Sequence, residues 1–246
     1  MQSRNGHLWK LALAIGFSVG WAPTLDLKAE TSQNKNAATS ISGTVSYQTD
    51  AQHPWRFGRY YIKGKDKHLA EAVVELIPVS PNTSFPPQIN RTPKTYLMDQ
   101  ENFMFVPETL AVQLGDKVRF KNSEEAFHNV MCLDDKPPFN VNLAKGQEYI
   151  HEPKVADGTL KPLNIRCVFH GSMKGWLVVV PHQHYKLTDA SGAFQFKNFP
   201  AGTYKLRVIH PAGDLVLETD AREITEGGSI QWNIALSPDH LRKTKQ

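Results

Sequence analysis

Only two of the 246 residues are cysteine, Cys132 and Cys167. So few thiols exclude a disulfide-dense scaffold and a multi-thiolate iron–sulfur cluster. Cys-x-x-Cys-His is absent, which removes covalent haem attachment. The chain also lacks His-Glu-x-x-His, a phosphate-cradling glycine loop and a Ser/His/Asp signature, so no enzymatic centre is expected. Basic residues cluster only in the tail "LRKTKQ", too little for a nucleic-acid footprint. Past Trp21 no apolar run approaches membrane-spanning length. Helical periodicity is nearly absent after the N-terminus, and that absence is the first clue to the fold.

The N-terminus carries Arg4 and Lys10 ahead of "LALAIGFSVGW", a short apolar run with small residues following at Ala22 and Ala29. This is the layout of a secretory signal peptide over residues 1–29, and it predicts export to the periplasm; a retained anchor is the alternative. Its removal takes away Arg4, Lys10, Lys28 and Asp26 and lowers the formal charge from +4 to +2. Residues 30–40 are polar and aperiodic and read as a disordered linker. No membrane span is expected in the mature chain, and residues 238–246 read as a basic tail.

The remainder alternates apolar and polar residues between Gly, Pro, Asn and Asp, which predicts an all-β fold. One group holds "ISGTVSYQ" and "LAEAVVELIPV". Another holds "FQF", "YKLRVI" and "IQWNIAL", with turns at "DASG" and "FPAG". Together the two groups resemble the carboxypeptidase regulatory-like (transthyretin-like) β-sandwich. The matching positions are Gly43 and Val45; Ala72, Val74 and Leu76; Asp189, Gly192, Phe194 and Phe196; and Pro200, Gly202, Tyr204 and Leu206. The resemblance implies one discontinuous sandwich, 41–93 and 182–237, interrupted by a second domain at 94–181. Insertion at a hairpin is cheap because its ends already lie close together. Two domains in tandem is the alternative.

Within 94–181, "RCVFHGSM" places Cys167, His170 and Met173 three residues apart. Chance would put His and Met at those offsets from either cysteine on the order of two times in a thousand. Leu163, Ile165 and Cys167 share strand parity, so the thiol points at a core while His170 and Met173 occupy the following turn. His128, after the strand "KVRFKN", offers a second imidazole. One thiolate, two imidazoles and a weak thioether form the donor set of electron-transfer copper. Zinc tolerates Met poorly as a fourth ligand. A Cys132–Cys167 disulfide suits the compartment but leaves the other three residues without a role; Cys132 reads instead as a small buried apolar residue.

Residues 94–181 resemble a cupredoxin, from the lead-in Phe105 to Asn122, through His128-Asn129-Val130, to a Cys-x2-His-x2-Met loop of the short amicyanin type. The resemblance implies a Greek-key sandwich with one copper held by His128, Cys167, His170 and Met173. It also implies that Asn129 braces the Cys loop by hydrogen bonding. Many relatives carry Pro soon after the Cys; Val168 and Phe169 stand here, so packing of Phe169 would stiffen the loop. The expected function is single-electron transfer with a redox protein such as a cytochrome or a dehydrogenase. Two rivals stay open: copper delivery in the cell envelope, and an interaction module with a vestigial metal site. His182 and His184 share parity and would more commonly be solvated strand histidines than ligands. "HPWRFGRYYIKGK" would be a partner surface or a flap over the sandwich.

Overall fold

Ile41, Val45 and Tyr47 are buried, while Ser40, Ser42, Thr44 and Ser46 between them are partly exposed. This period of two can be satisfied only by an extended strand with one face on a core. In the computed structural model it is β1 (Ser40–Tyr47), one residue longer at its start than the polar lead-in implied. The structure describes residues 38–48, 52, 67–80, 84–85, 88 and 90–242, so the signal segment and the aromatic 53–65 stretch lie outside the described residues. No helix among the described residues is long and apolar enough to cross a membrane.

β2 (Val73–Pro78) is followed by β3 (Thr95–Glu101), β4 (Met104–Val106), β5 (Thr109–Gln113), β6 (Lys117–Asn122) and β7 (His128–Cys132). Then come β8 (Phe139–Leu143), β9 (Glu148–His151), β10 (Leu163–Arg166) and β11 (Lys174–Val180). β3 to β11 make two sheets, ordered β4-β3-β6-β9 and β5-β11-β10-β7-β8. Phe105, Phe120, Val130, Ile165 and Leu177 fill one core with them. The chain continues with β12 (Tyr185–Leu187), β13 (Ala193–Lys197), β14 (Gly202–His210) and β15 (Leu215–Glu218). It ends with β16 (Arg222–Ile224), β17 (Ser229–Gln231) and β18 (Ile234–Leu236). β12, β2, β14 and β15 form one sheet and β13, β1 and β17 another, with β16 pairing β14 and β18 pairing β1. Ile41, Leu76, Phe196, Tyr204, Leu206 and Trp232 belong to their core. Among the described residues the fold is all-β, with no α-helix and two short 3-10 turns.

The paired valines of β2 serve two cores. Val74 and Leu76 join the core of the outer sheets, whereas Val73 packs with Ala111, Val178, Val180 and Ile209 between the two pairs of sheets. Each fully buried valine, leucine or isoleucine among these contributes about 1.5–3 kcal/mol. Polar contacts reinforce the seam. Glu71 Oε2 accepts the Thr109 amide at 2.8 Å, and buried Glu75 accepts from Thr159 and from Arg207, the latter at 3.3 Å.

Three details depart from the sequence pattern. "IQWNIAL" is two short strands, β17 and β18, both parallel to β1. Gly43 explains the close approach: a Cβ there would lie 2.1 Å from the Trp232 carbonyl oxygen. The tail is partly anchored, since Pro238–His240 form a 3-10 turn and Arg242 donates to the Leu160 carbonyl at 3.0 Å. Finally, His182 and His184 precede β12 rather than lying in a strand, and neither is freely solvated. His182 faces Glu75 at 3.2 Å, and buried His184 stacks on Phe85 at 3.7 Å between ring centroids.

Candidate metal centre

β7 and β10 are neighbours in one sheet, with Met131 opposite Arg166. This pairing carries His128, the first residue of β7, towards Cys167, which directly follows β10. Two backbone bonds close the loop that follows: Cys167 N–H donates to the Met173 carbonyl at 3.3 Å, and Met173 N–H to the His170 carbonyl at 2.9 Å. The turn folds His170 back over the thiol.

Three donor atoms thereby converge. His128 Nδ1 and His170 Nδ1 are 3.1 Å apart, and Cys167 Sγ lies 3.9 Å from the first and 3.6 Å from the second. A point about 2.1 Å from all three lies inside that triangle, close to the roughly 2.0–2.3 Å bonds that nitrogen and thiolate make to an ion such as zinc. The residues therefore fit a single metal ion. His128 is fully buried, Cys167 nearly so, and His170 half-buried. Met173 is 1 % exposed and belongs to the same core cluster as Cys167.

The surrounding hydrogen bonds orient these side chains. Glu124 contacts His128 Nε2, so the ring nitrogen facing away from Cys167 has a carboxylate partner. Asn122 shapes the loop that delivers this glutamate. Its side-chain oxygen accepts the Glu124 amide at 3.0 Å, and its nitrogen donates to the carbonyls of Ala126 and Leu143. Asn129 donates to Asn140, Val141 and Asn142, and its oxygen accepts the Val168 amide at 3.4 Å. Phe103 lies edge-on to both imidazoles, its ring centroid 4.9 Å from His170 and 5.6 Å from His128. Neither Glu124 nor Phe103 stands out in the sequence. Asn102 and Phe103 form the turn between β3 and β4. The available signal for Glu124 was a carboxylate four residues before the histidine.

Phe169 does not stiffen the loop through the core. It is half-exposed and meets Phe127 at 5.5 Å; the loop is instead closed by its two backbone bonds and by the Val168–Asn129 bond. Both cysteines are free thiols. Burial pushes the Cys132 thiol up to about 11, against the opposing effect of backbone hydrogen bonds from Asp134 and Asp135. It lies in the core and is not part of the three-residue donor group.

No protein-family model and no curated protein matches the chain. Solved structures do. A purple cupredoxin from Nitrosopumilus maritimus is similar over 34 % of this chain and 98 % of its own, at 18 % identity and a TM-score of 0.30. A reduced amicyanin mutant is similar over 43 % of this chain and 98 % of its own, at 22 % identity and a TM-score of 0.31. The copper-containing nitrite reductase of Thermus scotoductus SA-01 shares 19 % identity, over 43 % of this chain but 26 % of its own, with a TM-score of 0.32. The chemistry of the centre rests on its own donor geometry.

Proposed function

We propose that the protein is an exported, non-enzymatic electron carrier that binds one copper ion through His128, Cys167 and His170, with Met173 as a weak fourth ligand. The observation that carries this reading is the triangle of two Nδ1 atoms and one Sγ, with sides of 3.1, 3.6 and 3.9 Å. A thiolate with imidazoles and a nearby thioether is a donor set that serves both copper oxidation states. Bound there, copper supplies a one-electron couple.

The protein residues have distinct tasks in that function. Cys167 and His128 hold the centre inside the core, where water is excluded. His170, half-buried, is the ligand nearest the surface and the natural point of electron entry and exit. Phe103, Phe127, Val168 and Phe169 expose large apolar side chains in the loops around the histidine pair. These suit contact with a redox protein such as a cytochrome or a dehydrogenase, because apolar contact allows close approach without a large desolvation cost. The outer sheets, read as a carboxypeptidase regulatory-like sandwich interrupted by the cupredoxin, would present this face to the partner. In the periplasm both thiols face oxidising conditions, and metal ligation would protect Cys167.

Adding Cu(II) to apoprotein tests the reading. Intense thiolate absorption in the visible, followed by reversible one-electron voltammetry with unchanged metal content, is expected. A colourless protein that takes up Cu(I) and surrenders it to a chelating acceptor contradicts electron carriage and favours copper delivery.

A further inference from the structure

Glu124 ends in a carboxylate that is 20 % exposed and turned inward. One of its oxygens, Oε1, serves two partners: it contacts His128 Nε2 and accepts the backbone N–H of Phe103 at 3.2 Å. The first contact selects a tautomer. With the hydrogen on Nε2, donated to the carboxylate, the Nδ1 lone pair is left facing His170 and Cys167. The second contact holds an unfavourable turn in place. Asn102 and Phe103 have φ of 53° and 57°, a left-handed pair in which glycine is the usual second residue and an aromatic is strained. The strained turn nevertheless places the Phe103 ring on both metal-facing imidazoles.

We propose that Glu124 is a positioning residue that sets the oxidation-state preference of the centre, through the His128 tautomer and the Phe103 cover held by the same carboxylate oxygen. The inference rests on the copper reading above. The physical ground is charge. His128 is fully buried, so a negative carboxylate one ring away acts with little solvent screening. Set on the far ring nitrogen, that charge favours Cu(II), the more positive state, over Cu(I). The Phe103 ring packs edge-on against His128 and His170 beside that contact. Glu124 touches neither the metal position nor the thiolate, so it acts through His128.

Glu124→Gln keeps an oxygen acceptor for both N–H groups but removes the charge. In the copper-loaded protein the variant should retain its thiolate absorption while its preference for Cu(II) over Cu(I) falls roughly tenfold, a rise in midpoint potential of about 59 mV for a one-electron couple. A potential within twofold of the parent on that scale overturns the inference. A second measurement does not need copper: imidazole 15N shifts in the apoprotein should show His128 with its hydrogen on Nε2. A hydrogen on Nδ1 overturns the positioning role. Absence of a coloured copper protein, with His128 in the expected tautomer, contradicts the copper reading and with it the redox role, while leaving the tautomer assignment intact.

Discussion

The side-chain oxygen of Asn129 accepts the backbone N–H of Val168 at 3.4 Å, linking the neighbour of His128 to the neighbour of Cys167. Asn129 is fully buried, and its nitrogen is shared among Asn140, Val141 and Asn142 of the adjacent strand. It therefore clamps the His128 strand to the loop that carries Cys167. Asn129→Ala leaves buried polar groups without partners, at a cost of about 1–3 kcal/mol. Orienting residues of this kind typically cost about 10–100-fold in metal affinity when removed. Denaturant melts of the apoprotein and competitive copper titration should show both losses. Stability loss with unchanged copper affinity contradicts the clamp.

Phe103 gives a prediction of relative stability. Its left-handed backbone is strained for any residue with a Cβ, by about 1–2 kcal/mol. Phe103→Ala and Phe103→Gly lose the same ring contacts, but only glycine relieves the strain. The glycine variant should therefore be more stable than the alanine variant by about 1 kcal/mol in urea unfolding. Equal stabilities contradict the strained turn.

Acid should act through His184. Its burial beneath Phe85, with help from the nearby charges of His182 and Lys186, holds its pKa down to about 4. An unfolded histidine takes up a proton near pH 6.5. Between about pH 6.5 and 4 the unfolded chain thus binds the proton more readily, and stability falls by up to about 3 kcal/mol before levelling off. At Glu75 burial acts to raise the pKa, but hydrogen bonds from His182 and Thr159 and the charges of His182 and Arg207 outweigh it and leave it lowered. Its contribution is lost only at more acid pH, below the ordinary carboxylate range. Melts of the apoprotein across pH 7 to 4 should show the loss, and His184→Gln should flatten it.

Cys132 should be silent towards the metal. Buried and held to about 11, its thiol stays protonated at pH 8. Alkylation of the folded copper protein at that pH should spare it, and Cys132→Ala should leave the visible spectrum unchanged. A spectral shift in that variant would place Cys132 in the centre.

Much of this was legible in the chain because the signals were local. Alternation in "ISGTVSY" fixed both the strand and its buried face, since the period of an extended chain admits one solution. Cys167 shared parity with core residues, and Met173 and His170 fell in one short loop, so three candidate ligands could be seen together. His128 was legible as a second imidazole following "KVRFKN", and the pairing of β7 with β10 brings its ring against the thiol. What escaped depended on non-local geometry. Glu124 and Glu125 are indistinguishable as sequence, and only the Asn122 hydrogen bonds decide which carboxylate turns inward. Phe103 joins the centre only because the chain reverses between β3 and β4. Phe169 read as a packing residue because aromatics usually are, but the loop leaves it half in solvent. His184 read as solvated because its stacking partner, Phe85, lies far away in sequence.

X-ray absorption on the copper-loaded protein tests most directly whether His128, His170 and Cys167 meet on one ion. One short sulfur and two imidazole nitrogens per copper are expected, with the sulfur lost in Cys167→Ser and one nitrogen lost in His128→Ala. A copper environment without sulfur, or one unchanged by Cys167→Ser, contradicts that meeting.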